Sequence, residues 1–197
     1  MLFPNENILP FEGEVFLYDC YFEKDVSDTL FNILKINIDW KQEGMKMYGK
    51  DILFPRLTAW YGDENAQYKY SGIVNIPLPW TEELLLIKQK VEEISQTKFN
   101  SVLLNYYRDG NDSMGWHSDD EKELSKNPTI ASVSFGATRN FQFKHKNVKK
   151  STQNILLNNG SLLIMKSETQ HNWLHQVPKT KTLLGERINL TFRAVLI

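Results

Sequence analysis

Two short motifs in the second half of the chain carry side chains that could hold a metal and a dicarboxylate. In GWHSDDE (115–121), His117 and Asp119 stand two positions apart, and residues so spaced share one face if the backbone is extended. One more histidine would complete the two-histidine, one-carboxylate set that holds iron(II) on one face and leaves positions open. His175 in NWLHQV (172–177) is the choice for that third ligand; His171, four residues earlier, competes with it, because in a helix the two would be i,i+4 neighbours. In RINLTFR, Arg187, Asn189, Thr191 and Arg193 alternate with Ile188, Leu190 and Phe192. That alternation predicts a strand with one apolar face and one face bearing two guanidiniums and an amide. Arginine suits bidentate carboxylate binding, so the polar face could cradle a dicarboxylate. Each feature alone has an ordinary reading, as a solvated His-Asp pair or a charged edge strand. Their order argues for one site: His-x-Asp, an array of strands, a tryptophan-flanked histidine about 56 residues on, and the arginines 12 to 18 residues after that.

The elements that must position these groups follow from periodicity. EVFLYDCYF (14–22) reads as a strand. A helix capped by Asp25 or Ser27 runs to about Ile36, with Val26, Leu30, Ile33 and Leu34 at helical spacing. Gly44 and Gly49 within 39–56 suggest a hairpin. A second helix, about 81–96, has Glu82 and Glu83 in its first turn and a stripe of Leu84, Ile87, Val91 and Ile94. From about 101 the pattern changes to short strands separated by turns: 102–107, 130–136, 140–146, 153–157, 161–166, 172–177 and 187–196. Such spacing argues for a sandwich or jelly roll rather than β/α repeats, beneath an α/β N-terminal half.

Composition narrows the classes. At 197 residues and 41% hydrophobic, the chain can bury one core. A net charge of −1 excludes a polycation but not a local basic patch. The single cysteine, Cys20, excludes an internal disulfide and fits a reducing compartment. No basic n-region with an apolar run opens the sequence, and no segment approaches the ~18 apolar residues of a membrane span. The expectation is an intracellular monomer without a membrane segment, cytoplasmic, or nuclear if eukaryotic.

Across roughly residues 45–196, the motifs LLNYYRDG, WHSDDE, SVSFGATRNFQFKHK, GSLLIM, NWLHQVP and RINLTFR resemble the AlkB family of iron(II)- and 2-oxoglutarate-dependent nucleic-acid dealkylases. PRLTAWYGD and YKYSG resemble the substrate lid of its DNA-repair members. The resemblance implies an α+β protein built on a double-stranded β-helix (jelly roll), with an α/β N-terminal extension forming a nucleotide-recognition lid. One domain would span 1–197, about 1–100 as extension and lid and about 101–197 as catalytic core. His117, Asp119 and His175 would hold iron(II), and the match of Trp173, His175 and Pro178 to W-x-H-x-x-P sets His171 outside. Asn105 and Tyr107 fall where the family contacts 2-oxoglutarate. Arg187, assisted by Tyr107 and Asn189, would bind its distal carboxylate; Arg193, with Asn105, would hold the carboxylate that chelates the metal. Arg193 joins the three ligands as the catalytic set.

For substrate, the resemblance matches Tyr70 to an aromatic that stacks on a flipped-out base, although composition alone reads Tyr68 and Tyr70 as hairpin packing. Tyr68 and Glu121 would touch the base edge, with Asp120 at the rim and Arg56 and Trp60 as further contacts. Tyr48 in MYGK is either a wedge entering the vacated stack or an ordinary hairpin tyrosine. Lys144, His145, Lys146, Lys149 and Lys150 could track phosphates. The implied activity is oxidative demethylation of N-alkylated bases, such as 1-methyladenine and 3-methylcytosine, in single- or double-stranded DNA, with RNA as a further substrate. 2-Oxoglutarate and O2 would yield succinate, CO2 and formaldehyde, making this direct-reversal alkylation repair. The alternatives are an oxygenase of a protein, lipid or modified RNA, or a non-catalytic nucleic-acid-binding module; retention of both the ligand set and the arginines disfavours the module.

Overall fold

Period-two alternation in the second half becomes two antiparallel sheets facing one another. The computed structural model describes residues 6–47, 49–66, 68–70 and 73–196; at 45–47, 50–51, 68–70 and 73–75 it describes the backbone alone. The larger sheet has six strands, in the order β1 (Glu14–Tyr18), β12 (Ser161–Lys166), β9 (Ile130–Gly136), β14 (Arg187–Arg193), β7 (Ser101–Tyr107) and β4 (Leu57–Gly62). The smaller has four, β11 (Thr152–Leu157), β10 (Arg139–His145), β13 (Trp173–Val177) and β8 (Met114–His117). From β7 onward the chain passes back and forth between the sheets, with only β10 and β11 following one another in the same one. That winding is what a jelly roll requires. Two hairpins, β2 (Gly44–Met47) with β3 (Lys50–Leu53) and β5 (Tyr68–Tyr70) with β6 (Ile73–Asn75), lie outside both sheets.

The strand alternation sorts side chains into two cores. On one face of the large sheet, Val102, Leu104, Val133, Phe135, Leu162, Ile188, Leu190 and Phe192 pack with helices α1 (Lys24–Asn37) and α2 (Glu82–Ser95), through Leu30, Leu34, Leu84, Ile87 and Val91. Between the sheets, Val15, Ile130, Leu163 and Met165 meet Phe141, Phe143, Trp173 and Val177. The first hundred residues are woven into this arrangement rather than laid over it, because β1 and β4 are the two edges of the large sheet and both long helices cover it. No helix among the described residues is long and apolar enough to cross a membrane.

Helix α2 falls within its expected span, and Thr81 caps it, its side chain accepting from the Leu84 amide. Helix α1 does not. It starts at Lys24, after Glu23, which makes no side-chain cap bond. Neither Asp25 nor Ser27 is the cap. Ser27 is buried inside the helix, where its hydroxyl donates to the Phe22 carbonyl at 3.1 Å. The buried face therefore runs Ser27, Leu30 and Leu34, and Val26 stays 43% exposed.

Candidate active site

The metal-binding set forms where the small sheet's β8 and β13 meet. His117 and His175 are cross-strand partners, with ring centroids 4.3 Å apart and planes at 64°. Asp119 lies just beyond the end of β8, and one potential ligand atom from each of the three lies within 4.8 Å of the others. Each is held by its own contacts. The Nδ1–H of His117 faces the Gly115 carbonyl at 2.8 Å, which leaves the lone pair on Nε2 for a metal. The buried His175 ring stacks on Phe141 at 5.3 Å and lies 6.1 Å from Phe143. Burial, then the neighbouring His117, pushes its pKa down to about 3, so the ring is neutral at ordinary pH and a lone pair is available. Burial alone would raise the Asp119 carboxyl, yet Arg193, with His175 and His117, holds it below the usual carboxylate range. The Arg193 guanidinium donates to Asp119 Oδ1 at 2.6 Å, and the Asp119 amide donates to Gln170 Oε1 at 2.9 Å.

The opposing wall is the polar face of β14. That strand is no solvent-facing edge; it lies between β9 and β7, and Arg187 is 1% exposed. Arg187 donates from Nη2 to Ser134 Oγ at 2.9 Å and sits 5.1 Å from the centre of the Tyr107 ring. Arg139 lies 5.5 Å from the same ring. Burial lowers the Arg187 pKa to about 10, opposed by Tyr107 and reinforced by Arg139. Among the described residues no carboxylate lies within ion-pairing distance of Arg187, and its Nε and Nη1 are buried without an acceptor. Arg193 Nε and His175 Nδ1 are also unpartnered. Buried polar atoms left without partners call for an explanation. Gly136, at φ +89°, ends β9 with its Cα against the Glu186 carbonyl, so that a side chain there would collide with the residue before Arg187.

Between the two walls lies a cleft lined by Asn105, Tyr107, His117, Asp119, His175, Asn189 and Arg193, with Leu103, Met114, Phe141, Met165 and Val177 as apolar filling. The structure thus gathers all of the sequence-predicted metal residues at one end. Asn189 lies on the cleft wall, but its two amide hydrogens go to Ser132 Oγ and the Val133 carbonyl. His171 lies in the short helix α3 (Thr169–Asn172), outside the ligand set, with its Nε2 against the Lys126 carbonyl.

The substrate residues divide differently. Trp60 is half-buried on β4 opposite Leu103, and Arg56 is buried just before that strand. Asp120 is exposed and pairs with Lys146 at 3.1 Å. Glu121 is half-buried, with Oε2 unpartnered and its carboxyl pushed up by burial. Tyr68 and Tyr70 form β5, their side chains outside the description, and Tyr48 lies outside the described residues. The basic run is not one patch. Lys144 sits 4.4 Å over the Trp116 ring, His145 is buried against Glu12 at 2.8 Å, and Lys146 is paired, which leaves Lys149 and Lys150 exposed. Sequence reasoning missed Gln170, Ser132 and Ser134; the two serines could have been found, since they alternate with Ala131, Val133 and Phe135 in ASVSF.

Comparison with known proteins decides between the possible owners of such a site. The model of the 2OG-Fe(II) oxygenase superfamily matches residues 14–193. The mouse protein named DNA oxidative demethylase ALKBH2 is 37% identical over 203 residues, covering 98% of this chain and 85% of its own. The chain belongs to the AlkB family of 2OG-Fe(II) dioxygenases. Mouse alpha-ketoglutarate-dependent dioxygenase alkB homolog 3 is 41% identical over 93% of this chain, which spans only 66% of that relative. A solved structure described as "The structure of OsALKBH1" superposes with a TM-score of 0.69 at 19% identity, over 93% of this chain and 98% of its own, which supports the fold alone. The AlkB-family site asks for iron(II) and 2-oxoglutarate, and these residues fit both. A buried His-Asp-His set suits the ion, and unpartnered guanidinium donors suit a ligand that brings carboxylate acceptors.

Proposed function

We propose that this AlkB-family protein removes small alkyl groups oxidatively from base nitrogens of nucleic acid, in single- or double-stranded DNA and also in RNA. It acts as a monomer, with residues 1 to about 100 contributing the lid and about 101–197 the catalytic core. The observation that carries the reading is an iron-suited ligand set in a cleft whose Tyr107 wall is backed by the buried Arg187 guanidinium, which lacks an anion. Relatives named as oxidative demethylases supply the substrate class.

In this reading His117, Asp119 and His175 hold iron(II). Arg187 offers Nε and Nη1 to the distal carboxylate of 2-oxoglutarate beside Tyr107, and Arg193 and Asn105 serve the other carboxylate. Asn189, whose amide hydrogens are already engaged, acts by holding Ser132 and the cleft wall. Bound iron, 2-oxoglutarate and O2 supply the hydroxylation of the N-alkyl carbon, giving succinate and CO2 and then formaldehyde as the hydroxymethyl group leaves. The chain's own work is placement and exclusion of water. Phe141, Met165 and Val177 line the cleft without offering a hydrogen bond, and Arg193 keeps Asp119 ionised. Glu121, half-buried with its Oε2 unpartnered, offers an acceptor to a base edge. In this reading the β2–β3 and β5–β6 hairpins serve as the nucleotide-recognition lid, with Tyr68, Tyr70 and Trp60 as contacts for an extruded base, Tyr48 as the wedge and Asp120 at the rim.

The test is turnover of methylated single- and double-stranded oligonucleotides with succinate and formaldehyde measured together. Stoichiometric release of both is expected. Succinate production that no methylated nucleic acid stimulates would refute the demethylase reading.

A further inference from the structure

We propose that Arg56 is a positioning residue: it fixes the amide of Asn105 so that its N–H groups face 2-oxoglutarate, and thereby ties cosubstrate binding to the hairpin that precedes β4. This rests on the 2-oxoglutarate reading of the cleft and departs from the sequence expectation that Arg56 touches nucleic acid.

Pairing of β4 with β7 sets Thr58 opposite Asn105 and Leu57 opposite Tyr106, which brings Arg56 to the rim of the cleft. Its side chain is buried, 7% exposed, and its Nε–H donates to Asn105 Oδ1 at 2.7 Å. Nη1 reaches the Ser113 carbonyl at 3.4 Å. A guanidinium has donors only. It therefore accepts just one of the two orientations of the Asn105 amide, with the oxygen toward Arg56 and the NH2 away from it. Asn105 lines the cleft, and among the described residues its Nδ2 donates to no protein acceptor. That NH2 is held ready for a ligand made of acceptors, such as a carboxylate. With the amide reversed, an oxygen would face the carboxylate and oppose it.

Arg56 is not serving an acid. No carboxylate is ion-paired with it among the described residues, and burial lowers its pKa, with Tyr107, Glu43 and Asp112 opposing only through the field. Its other attachments run to the hairpin. The guanidinium lies 5.1 Å from the Phe54 ring centre, its backbone N–H donates to the Phe54 carbonyl at 2.8 Å, and the Phe54 N–H donates to the Glu43 carbonyl at 2.7 Å. Gln42 donates to the Arg56 carbonyl at 3.3 Å and accepts from Arg108 at 3.2 Å. One side chain thus joins the base of the β2–β3 hairpin to the cosubstrate wall. If the hairpin's position affects 2-oxoglutarate affinity, then 2-oxoglutarate steadies the hairpin by the same factor.

Calorimetric titration of 2-oxoglutarate into the full chain, with Mn(II) replacing iron and no oligonucleotide, reads this without turnover. Arg56→Met is expected to weaken binding about tenfold to a hundredfold, the worth of one oriented hydrogen bond to a charged group. Asn105→Ala is expected to weaken it at least as much. The double variant should bind no worse than Asn105→Ala alone. Arg56→Gln, which can still donate to Oδ1, should stay within about twofold of the parent, and this variant carries the test if the methionine variant does not fold. Unchanged 2-oxoglutarate affinity in Arg56→Met, or additive losses in the double variant, overturns the proposal. A lowered melting temperature in Arg56→Met with parental affinity also overturns it, by marking Arg56 as merely structural. If the parent protein itself binds no 2-oxoglutarate, the reading of the cleft fails first and the proposal falls with it.

Discussion

The two ends of the cleft are built to different standards. The arginine end is a seven-residue strand registered on both sides, against β7 from Arg187↔Tyr107 to Arg193↔Ser101 and against β9 from Arg187↔Gly136. The metal end hangs on β8, four residues long and at the edge of the small sheet, whose pairing with β13 shifts register between His175 and Val177. Moving Arg187 means disturbing the middle of the large sheet. Moving His117 disturbs one edge strand, and Asp119 lies beyond any strand. The proposed dicarboxylate cradle is thus set in the middle of a sheet, whereas two of the three metal-suited residues lie on or beyond an edge strand.

That contrast can be broken from either end. The largest effect is expected from His117→Ala, which should abolish iron binding and turnover while shifting the metal-free melting temperature by no more than about 2 °C, because an edge-strand substitution is worth about 0.5 kcal/mol. Undiminished iron affinity would remove His117 from the ligand set. Next comes Arg187→Met. It should raise the apparent KM for 2-oxoglutarate about 30-fold or more, the cost of leaving a buried carboxylate without its partner. Without ligand, the variant should melt no lower than the parent, since a desolvated charge with two orphan donors has been replaced by an apolar chain. A lower melting temperature with normal KM would make Arg187 a structural residue.

A smaller effect probes the loop that joins the two ends. Asp112 accepts three hydrogen bonds from Arg108, two from its side chain. Burial pushes its carboxyl up, but those bonds and the Arg139 charge bring it below the ordinary range. Because the folded-state pKa is the lower one, its contribution is complete above the unfolded value of about 3.9 and disappears as pH falls through the folded value. The stability gap between the parent and Asp112→Asn should be constant above about pH 5 and shrink below pH 4; a gap that grows on acidification would contradict the assignment. The smallest effect is expected from His171→Ala, with iron binding and turnover within about twofold of the parent. Loss of iron there would reinstate the i,i+4 alternative.

The comparison also separates what the residues alone disclose from what they hide. RINLTFR discloses its two faces because alternation is local, and SVSF would have yielded Ser132 and Ser134 by the same rule. Choosing His175 over His171 needed the W-x-H-x-x-P resemblance, since spacing alone left both open. The role of Arg56 depends on pairing between segments nearly fifty residues apart, and the Gln170–Asp119 bond likewise crosses from α3 to the loop after β8. Neither leaves a periodic trace. The start of α1 was misplaced for a similar reason. Ser27 is a good cap by type, but its hydroxyl is drawn into the packing beneath the helix, against Phe22.

The place of β14 in the chain bears on how the protein is made. It follows every other strand of the large sheet in sequence, yet it lies between β9 and β7. While synthesis proceeds, those two strands leave the ribosome with facing edges unpaired, and such edges invite pairing with other chains. The sheet closes only when residues 187–193 arrive, and the same event brings Arg193 to the cleft and Arg187 behind its Tyr107 wall. If Arg187 and Arg193 hold 2-oxoglutarate as proposed, completing the fold and assembling that site are one step, and a nascent chain that has not closed its sheet does not bind the cosubstrate.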